Sequence, residues 1–479
     1  MAVILRKAIW NWIKSFPAEF VALCQSQRSM EGGPEILFDI CYSLSEGNQK
    51  RRMVFWPLQT MLLILCPDIL RSAVTADRGT AVSFLETLKK SLRKSTFAEV
   101  AAICYVDICK AATYVSKSDS SALRLIVPEI ANELKEKLFN PNQPFITEAH
   151  VDQRLMTDCL TALFHLNPRN ALHSIIPVCL QKNAPNAFKL VLVKSCFALA
   201  SEENRLPWNP DITSMYSVLV SPLREIFQDH AKNQSFGPIK KTKKMMEEAN
   251  EKTEIILNIL NLYKTDPSLA LMQNDSSEPS DEIGTIVCIT NCLNNSSRAI
   301  RTIAAETLLE LHKPDYIEKW GSPQNKMRNF WYLSSQVTLT VARQIIESKE
   351  REEGAKYMLE LLHQLLIKRN EFLKANREVA TVEINVPERA KSNVALEKAL
   401  LVLLCSANIE ICSIAIACIG HLCTEAQLTE ALDELPSQLS IIENIDVYLE
   451  LSSPNYMVTG RMAQQKRTRK LLRLMKNPT

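Results

Sequence analysis

The chain has 479 residues and only 10 glycines, where average usage gives about 34, which weighs against turn-rich β architectures and glycine-cradled nucleotide sites. Apolar residues make up 46% and charged residues 23%, the composition of a folded, helix-biased protein and not of a disordered one. The 56 Lys+Arg against 53 Asp+Glu leave a net charge of +3, too even for a dedicated nucleic-acid binder.

The chain meets Arg6 and Lys7 after a few apolar residues, too soon for a signal-peptide core. Val3, Ile4, Ile9, Trp10, Trp12 and Ile13 make the first helix apolar nearly all round, which suits a buried helix. Trp10 and Trp12 flank one asparagine and cannot share a helix face. Ile9 and Trp12 are therefore the expected contacts of a covering neighbour. The alternative is that both tryptophans fold back onto Leu37, Phe38 and Trp56 and leave a polar exterior. The apolar run from Met53 to Cys66 is broken by Pro57, Gln59 and Thr60, short of the roughly 18 residues of a membrane span.

Phe97 to Tyr114 with Ser121 to Phe139 reads as a helix pair. Proline clusters at 140–144 and 206–210 punctuate the pattern. A charged loop is expected over 233–254. A helix over 255–273 follows, with Ile255, Ile256, Ile259, Leu260 and Tyr263 on one face, and then a Ser-, Pro- and acid-rich linker over 274–282. Asp281 to Leu293 and Ser297 to His312 form a second pair, with Ser297 as the cap. Met358, Leu359, Leu362, Leu365, Leu366, Phe372 and Leu373 share a helix face, and Ala380 to Val386 alternates but reads as a loop. Asn393 to Cys405, a turn at Ser406-Ala407-Asn408, and Ile409 to Cys423 give the clearest helix–turn–helix unit. Units of this kind are hydrophobic on faces they cannot bury alone. The expected fold is all-α, a HEAT/armadillo-like α-α superhelical solenoid of roughly ten units, one array over 1–232 continued by another over 283–479.

Catalytic motifs are missing in a specific way. No glycine pair has Walker spacing, neither Gly-x-Gly-x-x-Gly nor Gly-x-Ser-x-Gly occurs, and no two histidines stand at i and i+4. Cys412, Cys418, His421 and Cys423 are the one metal-like group. On a single helix their spacing sends them to different faces, so a packing role is the better reading and neither metal nor cofactor is expected. Cys288 with Cys292 and Cys104 with Cys109 read the same way. Fourteen cysteines without a secretory signal suggest reduced thiols in the cytoplasm. No acidic residue follows Leu451, and Arg461, Lys466, Arg467, Arg469, Lys470 and Arg473 line a basic amphipathic helix. An acidic protein partner or a peripheral membrane contact is one reading of it; a solvated helix face is the simpler one.

Several segments carry a resemblance. Ala8-Ile9-Trp10-Asn11-Trp12 with Phe16-Pro17-Ala18-Glu19-Phe20, Trp56-Pro57-Leu58-Gln59 with Leu62 to Pro67, and Leu138-Phe139-Asn140-Pro141 come first. Phe330-Trp331 with Ser334-Ser335-Gln336, Arg369-Asn370-Glu371-Phe372-Leu373, His421-Leu422-Cys423 and Thr459-Gly460-Arg461 follow in order. Together they resemble the N-terminal helical region of the neurofibromin and Ira-type Ras GTPase-activating proteins. The resemblance implies a protein that speeds GTP hydrolysis on Ras through a domain beyond this chain. Such proteins use an arginine finger in a Phe-Leu-Arg context. Here Phe84-Leu85 is followed by Glu86 and Phe372-Leu373 by Lys374, so the chain is expected to be a non-catalytic scaffold and not an enzyme. The implied partners are other helical repeats of the same protein, or a second copy in a homodimer. Ras would be met only through the further domain. The alternative is an independent HEAT/armadillo adaptor without any link to Ras.

Overall fold

The computed structural model describes residues 2–26, 33–46, 48–70, 79–92, 97–115, 122–140, 153–181, 184–201, 222–231, 243–271, 280–317, 323–347, 352–376, 387–404 and 406–429. No strand occurs among the described residues, so the chain is all-α there. The helices of two turns or more begin with α1 (Ala2–Ser15), α2 (Pro17–Ser26), α3 (Gly33–Ser45), α4 (Gln49–Leu65), α5 (Thr80–Leu92), α6 (Ala98–Thr113), α7 (Ala122–Leu138) and α8 (Gln153–Leu166). Helix α9 starts at Pro168–Asn170 and passes through a π turn at Ala171–Ile175 into Ile176–Leu180. After it come α10 (Asn186–Ala200), α11 (222–231), α12 (Lys243–Thr265), α13 (Ser280–Asn291) and α14 (Arg298–Leu311). The last are α15 (Pro323–Glu347), α16 (Glu352–Ala375), α17 (Pro387–Leu403) and α18 (Ile409–Thr429).

Two compact units result: Met1–Ile226 with Ile239–Asn258, and Phe227–Pro238 with Ile259–Thr479. The division thus falls within α11 and α12. The charged loop expected over 233–254 is helical from Lys243 on. Met245, Met246, Glu247, Glu248 and Ala249 are all good helix formers and neither Gly nor Pro intervenes, so charge alone was a poor sign of a loop. The linker expected over 274–282 lies outside the described residues up to 279, and Ser280 already opens α13.

In the first unit α4, α6, α8 and α10 lie side by side in chain order, α3 packs on α4, and α5 and α7 pack on α6. Helix α6 is the hub and is buried on nearly all sides. It places Ala101, Ala102, Ala111 and Ala112 at the crossings, where small side chains let helices approach from several directions. In the second unit α13, α15 and α17 pack in order as one layer, and α14, α16 and α18 as the other. The layers are joined by the hairpins α13–α14, α15–α16 and α17–α18. A residue at a hairpin junction therefore buries one face within its pair and another against the next pair.

Polar side chains stitch these layers by bonding to carbonyls of the neighbouring hairpin. Ser195 Oγ donates to Thr157 O at 3.2 Å, Thr307 Oγ1 to Leu260 O at 3.2 Å, Gln344 Nε2 to Thr290 O at 3.2 Å and Asn370 Nδ2 to His421 O at 2.9 Å. The turn at 406–408 is closed as its sequence implies: Ser406 Oγ accepts the Asn408 N–H, and Asn408 Oδ1 accepts the Glu410 N–H to cap α18. Ser297 does not do the same. It holds the N-cap position of α14 without a side-chain cap bond, while Asn295 Oδ1 accepts the Ser297 N–H and Arg301 Nη1 donates to Asn295 O.

Candidate functional site

Helix α1 turns Arg6, Trp10 and Ile13 inward, one helical stripe at i, i+4 and i+7. Arg6 donates from Nε and Nη2 to the two Asp107 carboxylate oxygens at 2.5 and 2.7 Å. The Trp10 ring lies 6.4 Å from that of Tyr114, with the Lys110 ammonium 4.9 Å from its centre. The other side of α1 is open. Val3 is 79% exposed and Ile4 74%.

The same holds for α3. Phe38, Cys41 and Ser45 are buried, and the Phe38 and Phe84 rings meet edge to face at 5.6 Å. Ile36, Ile40 and Leu44 form a second apolar stripe at i, i+4 and i+8, flanked by Leu37, and all four are exposed. Met53 and Val54 of α4 and Phe16 between α1 and α2 add to the open apolar surface. Of the 13 large apolar side chains exposed among the described residues, ten lie between Val3 and Val54. Isolated exposed apolar residues need no explanation, but a concentration of them on neighbouring helices does.

Ile9 and Trp12, the contacts expected from sequence, are only half-buried, and Trp12 already meets Phe20 edge-on at 6.3 Å. The apolar end exists, but its leading residues are Val3, Ile4, Ile36 and Ile40. The fold-back alternative is corrected. The ring partners of Trp56 are Phe84 and Phe97, those of Trp10 and Trp12 are Tyr114 and Phe20, and the exterior is apolar, with Leu37 itself 46% exposed. The spacing in Ile36-Leu37-Phe38-Asp39-Ile40-Cys41-Tyr42-Ser43-Leu44 carries both helix faces in the sequence itself. The basic residues Arg461, Lys466, Arg467, Arg469, Lys470 and Arg473 lie outside the described residues.

The buried cysteines behave as packing groups. Cys412 Sγ lies 3.3 Å from Ser406 O and 3.8 Å from Leu403 O and Leu404 O, a weak donor among carbonyls. Burial pushes the Cys418 thiol far above its ordinary value. Among the described residues no three His, Cys, Asp or Glu side chains gather as a metal set, and no helix is long and apolar enough to cross a membrane. A recess of about 160 Å³ among α7, α8 and α9, lined by Val127, Pro128, Leu163 and Ile175, is smaller than the about 300 Å³ at which cofactor-sized pockets begin. No family model matches the chain. The surface with most to say is the apolar end.

Proposed function

We propose that this chain is a protein–protein scaffold: a HEAT/armadillo-like superhelical solenoid whose apolar end at α1–α4 is covered by another helical hairpin, from the same polypeptide or from a second copy. The observation that carries this reading is the open stripe Ile36-Ile40-Leu44 of α3, beside a stripe already buried. A helix with two apolar stripes is an interior helix of a stack. The layered packing of α13 to α18 supports the same architecture. The resemblance to neurofibromin and Ira-type proteins extends the reading. The chain is a non-catalytic, cytoplasmic segment of a negative regulator of Ras, whose GTPase-activating domain lies elsewhere in the polypeptide.

Two measurements test this. Analytical ultracentrifugation over a concentration series, on the wild type and on Ile36→Glu with Ile40→Glu, should show self-association in the first and a monomer in the second; a folded, strictly monomeric wild type would remove the second copy as occupant. Single-turnover GTP hydrolysis by Ras should not accelerate when the chain is added, whereas an arginine finger in trans gives about 10³–10⁵-fold. Acceleration beyond about tenfold on that scale would overturn the non-catalytic reading.

A further inference from the structure

Helices α16 and α18 belong to consecutive hairpins and pack against each other in the second unit. His363 and His421 meet between them, 58 residues apart in sequence. Their Nε2 atoms are 3.3 Å apart, and the ring centres are 5.1 Å apart with planes inclined by 45°. Both rings are half-buried, so water reaches the gap.

Two geometries can bring imidazole nitrogens this close. In a head-on N–H···N hydrogen bond the ring centres lie on the line through the nitrogens, and a separation of 3.3 Å then places them about 5.6 Å apart. Two imidazoles converging on one tetrahedral ion at about 2.0–2.1 Å have nitrogens about 3.3 Å apart and ring centres about 5.2 Å apart. At 5.1 Å the ring centres lie near the second value, which a bent N–H···N bond also reaches. The nitrogens stand at the spacing that two ligands of one ion need.

We propose that His363 and His421 form a two-histidine site for a divalent first-row transition ion, Zn²⁺ foremost, with water in the remaining coordination positions. Neutral imidazole suits Zn²⁺, Cu²⁺ and Ni²⁺, and does not suit Mg²⁺ or Ca²⁺, which take oxygen ligands. The ion staples α16 to α18 and so ties one hairpin to the next. Asn370 Nδ2 donates to His421 O at 2.9 Å and fixes the backbone there. With Nε2 ligating, the proton sits on His421 Nδ1 and faces this same donor at 3.5 Å, which weakens the site. Lys374 is close enough to act on a positive charge at His421. Lys374 also opposes a dication, so this site is weaker than one with three protein ligands and no opposing cation. The thiols of α18 are not part of it, because Cys412, Cys418 and Cys423 are all buried.

Titration with Co²⁺ under a non-thiol reductant tests the proposal, because Co²⁺ reports its ligands optically. The wild type should take up one equivalent with visible d–d bands and no thiolate charge-transfer absorption, and Zn²⁺ should displace it. His363→Gln and His421→Gln should each lose that equivalent, with circular dichroism confirming that the variants are folded. All 14 cysteines remain in both variants, so thiol binding would survive the substitutions. Uptake that is equal in wild type and variants, uptake with a thiolate band, or no uptake by the wild type each overturns the site. Should His421→Gln fail to fold, His363→Gln carries the comparison alone.

Discussion

Arg369 and Glu425 stand 3.4 Å apart in the second unit, and neither side chain has any exposure. The Arg369 guanidinium lies 4.7 Å from the Trp331 ring centre, and Asn393 Nδ2 donates to Glu425 Oε1 at 3.2 Å. Four residues from α15, α16, α17 and α18 therefore meet at one point where two hairpins join. Desolvation makes such a pair a poor source of net stability, but removing one partner strands a buried charge, at a cost of about 3–5 kcal/mol. Glu425→Leu should lower the urea-unfolding free energy by that amount. Arg369→Met combined with Glu425→Leu should recover most of the loss. A double variant as unstable as the single one would mean that the ion pair itself holds the hairpins together.

Two buried histidines make the fold sensitive to acid. Burial holds His165 and His312 down at about 4, and the His312 Nδ1 lies 2.6 Å from Leu308 O. The unfolded chain takes up these protons near pH 6.5, while the folded chain refuses them until about pH 4. Their contribution is complete above pH 6.5 and is lost as pH falls through that window, about 3 kcal/mol per histidine at its end. Urea titrations at pH 7 and pH 5 should show the loss, and His312→Gln should flatten the pH slope by one proton. An unchanged slope in that variant would place the acid sensitivity elsewhere.

Periodicity made much of the fold legible and hid most of its polar core. The face from Met358 to Leu373 and that from Ile255 to Tyr263 are helical and buried where the spacing put them. The hairpin around 406–408 is also where its capping residues put it. Arg369 was not legible as a core residue. In Lys368-Arg369-Asn370-Glu371 it looks like any solvated face, and the partner on α18 and the ring on α15 are what the segment's own sequence does not show. His421 stood out in the sequence only beside the cysteines of its own helix, and its pairing with His363 was not legible, since helix spacing along one segment says nothing about a neighbour contributed by another hairpin. Charge along the start of α12 suggests a loop, whereas its residues are strong helix formers and the helix runs from Lys243.

Burial also separates the thiols. Cys104, Cys109, Cys179, Cys196 and Cys292 are each pushed up to about 12 by burial, whereas Cys24 and Cys66 are only half-buried. At pH 8 a thiol at about 12 is about one part in 10⁴ thiolate, and the thiolate is the nucleophile. Native alkylation followed by peptide mapping should label Cys24 and Cys66 first and leave the five buried thiols until denaturant is added. Early labelling of Cys104 or Cys109 would show that α6 opens locally.

Ion pairs join successive hairpins, and their burial sets how much each matters. Lys264 Nζ lies 2.6 Å from Glu306 Oε2, with side chains 40% and 45% exposed. A double-mutant cycle on that pair should return about 0.2–1 kcal/mol, declining as salt screens it. Arg6 and Asp107 differ, because the Asp107 side chain is 1% exposed. Burial pushes the Asp107 carboxyl up, and Arg6 is the main group pulling it back down. Arg6→Ala would leave that charge buried without its partner, at a cost of about 3–5 kcal/mol at neutral pH. The cost should shrink as pH falls, since a protonated Asp107 has no charge to bury. Helix α1 is bound to α6 through this contact and Trp10, so the variant should show faster amide exchange in α1 while α16 and α18 stay protected. Unchanged protection of α1 would mean that Trp10 and Ile13 hold the helix without the ion pair.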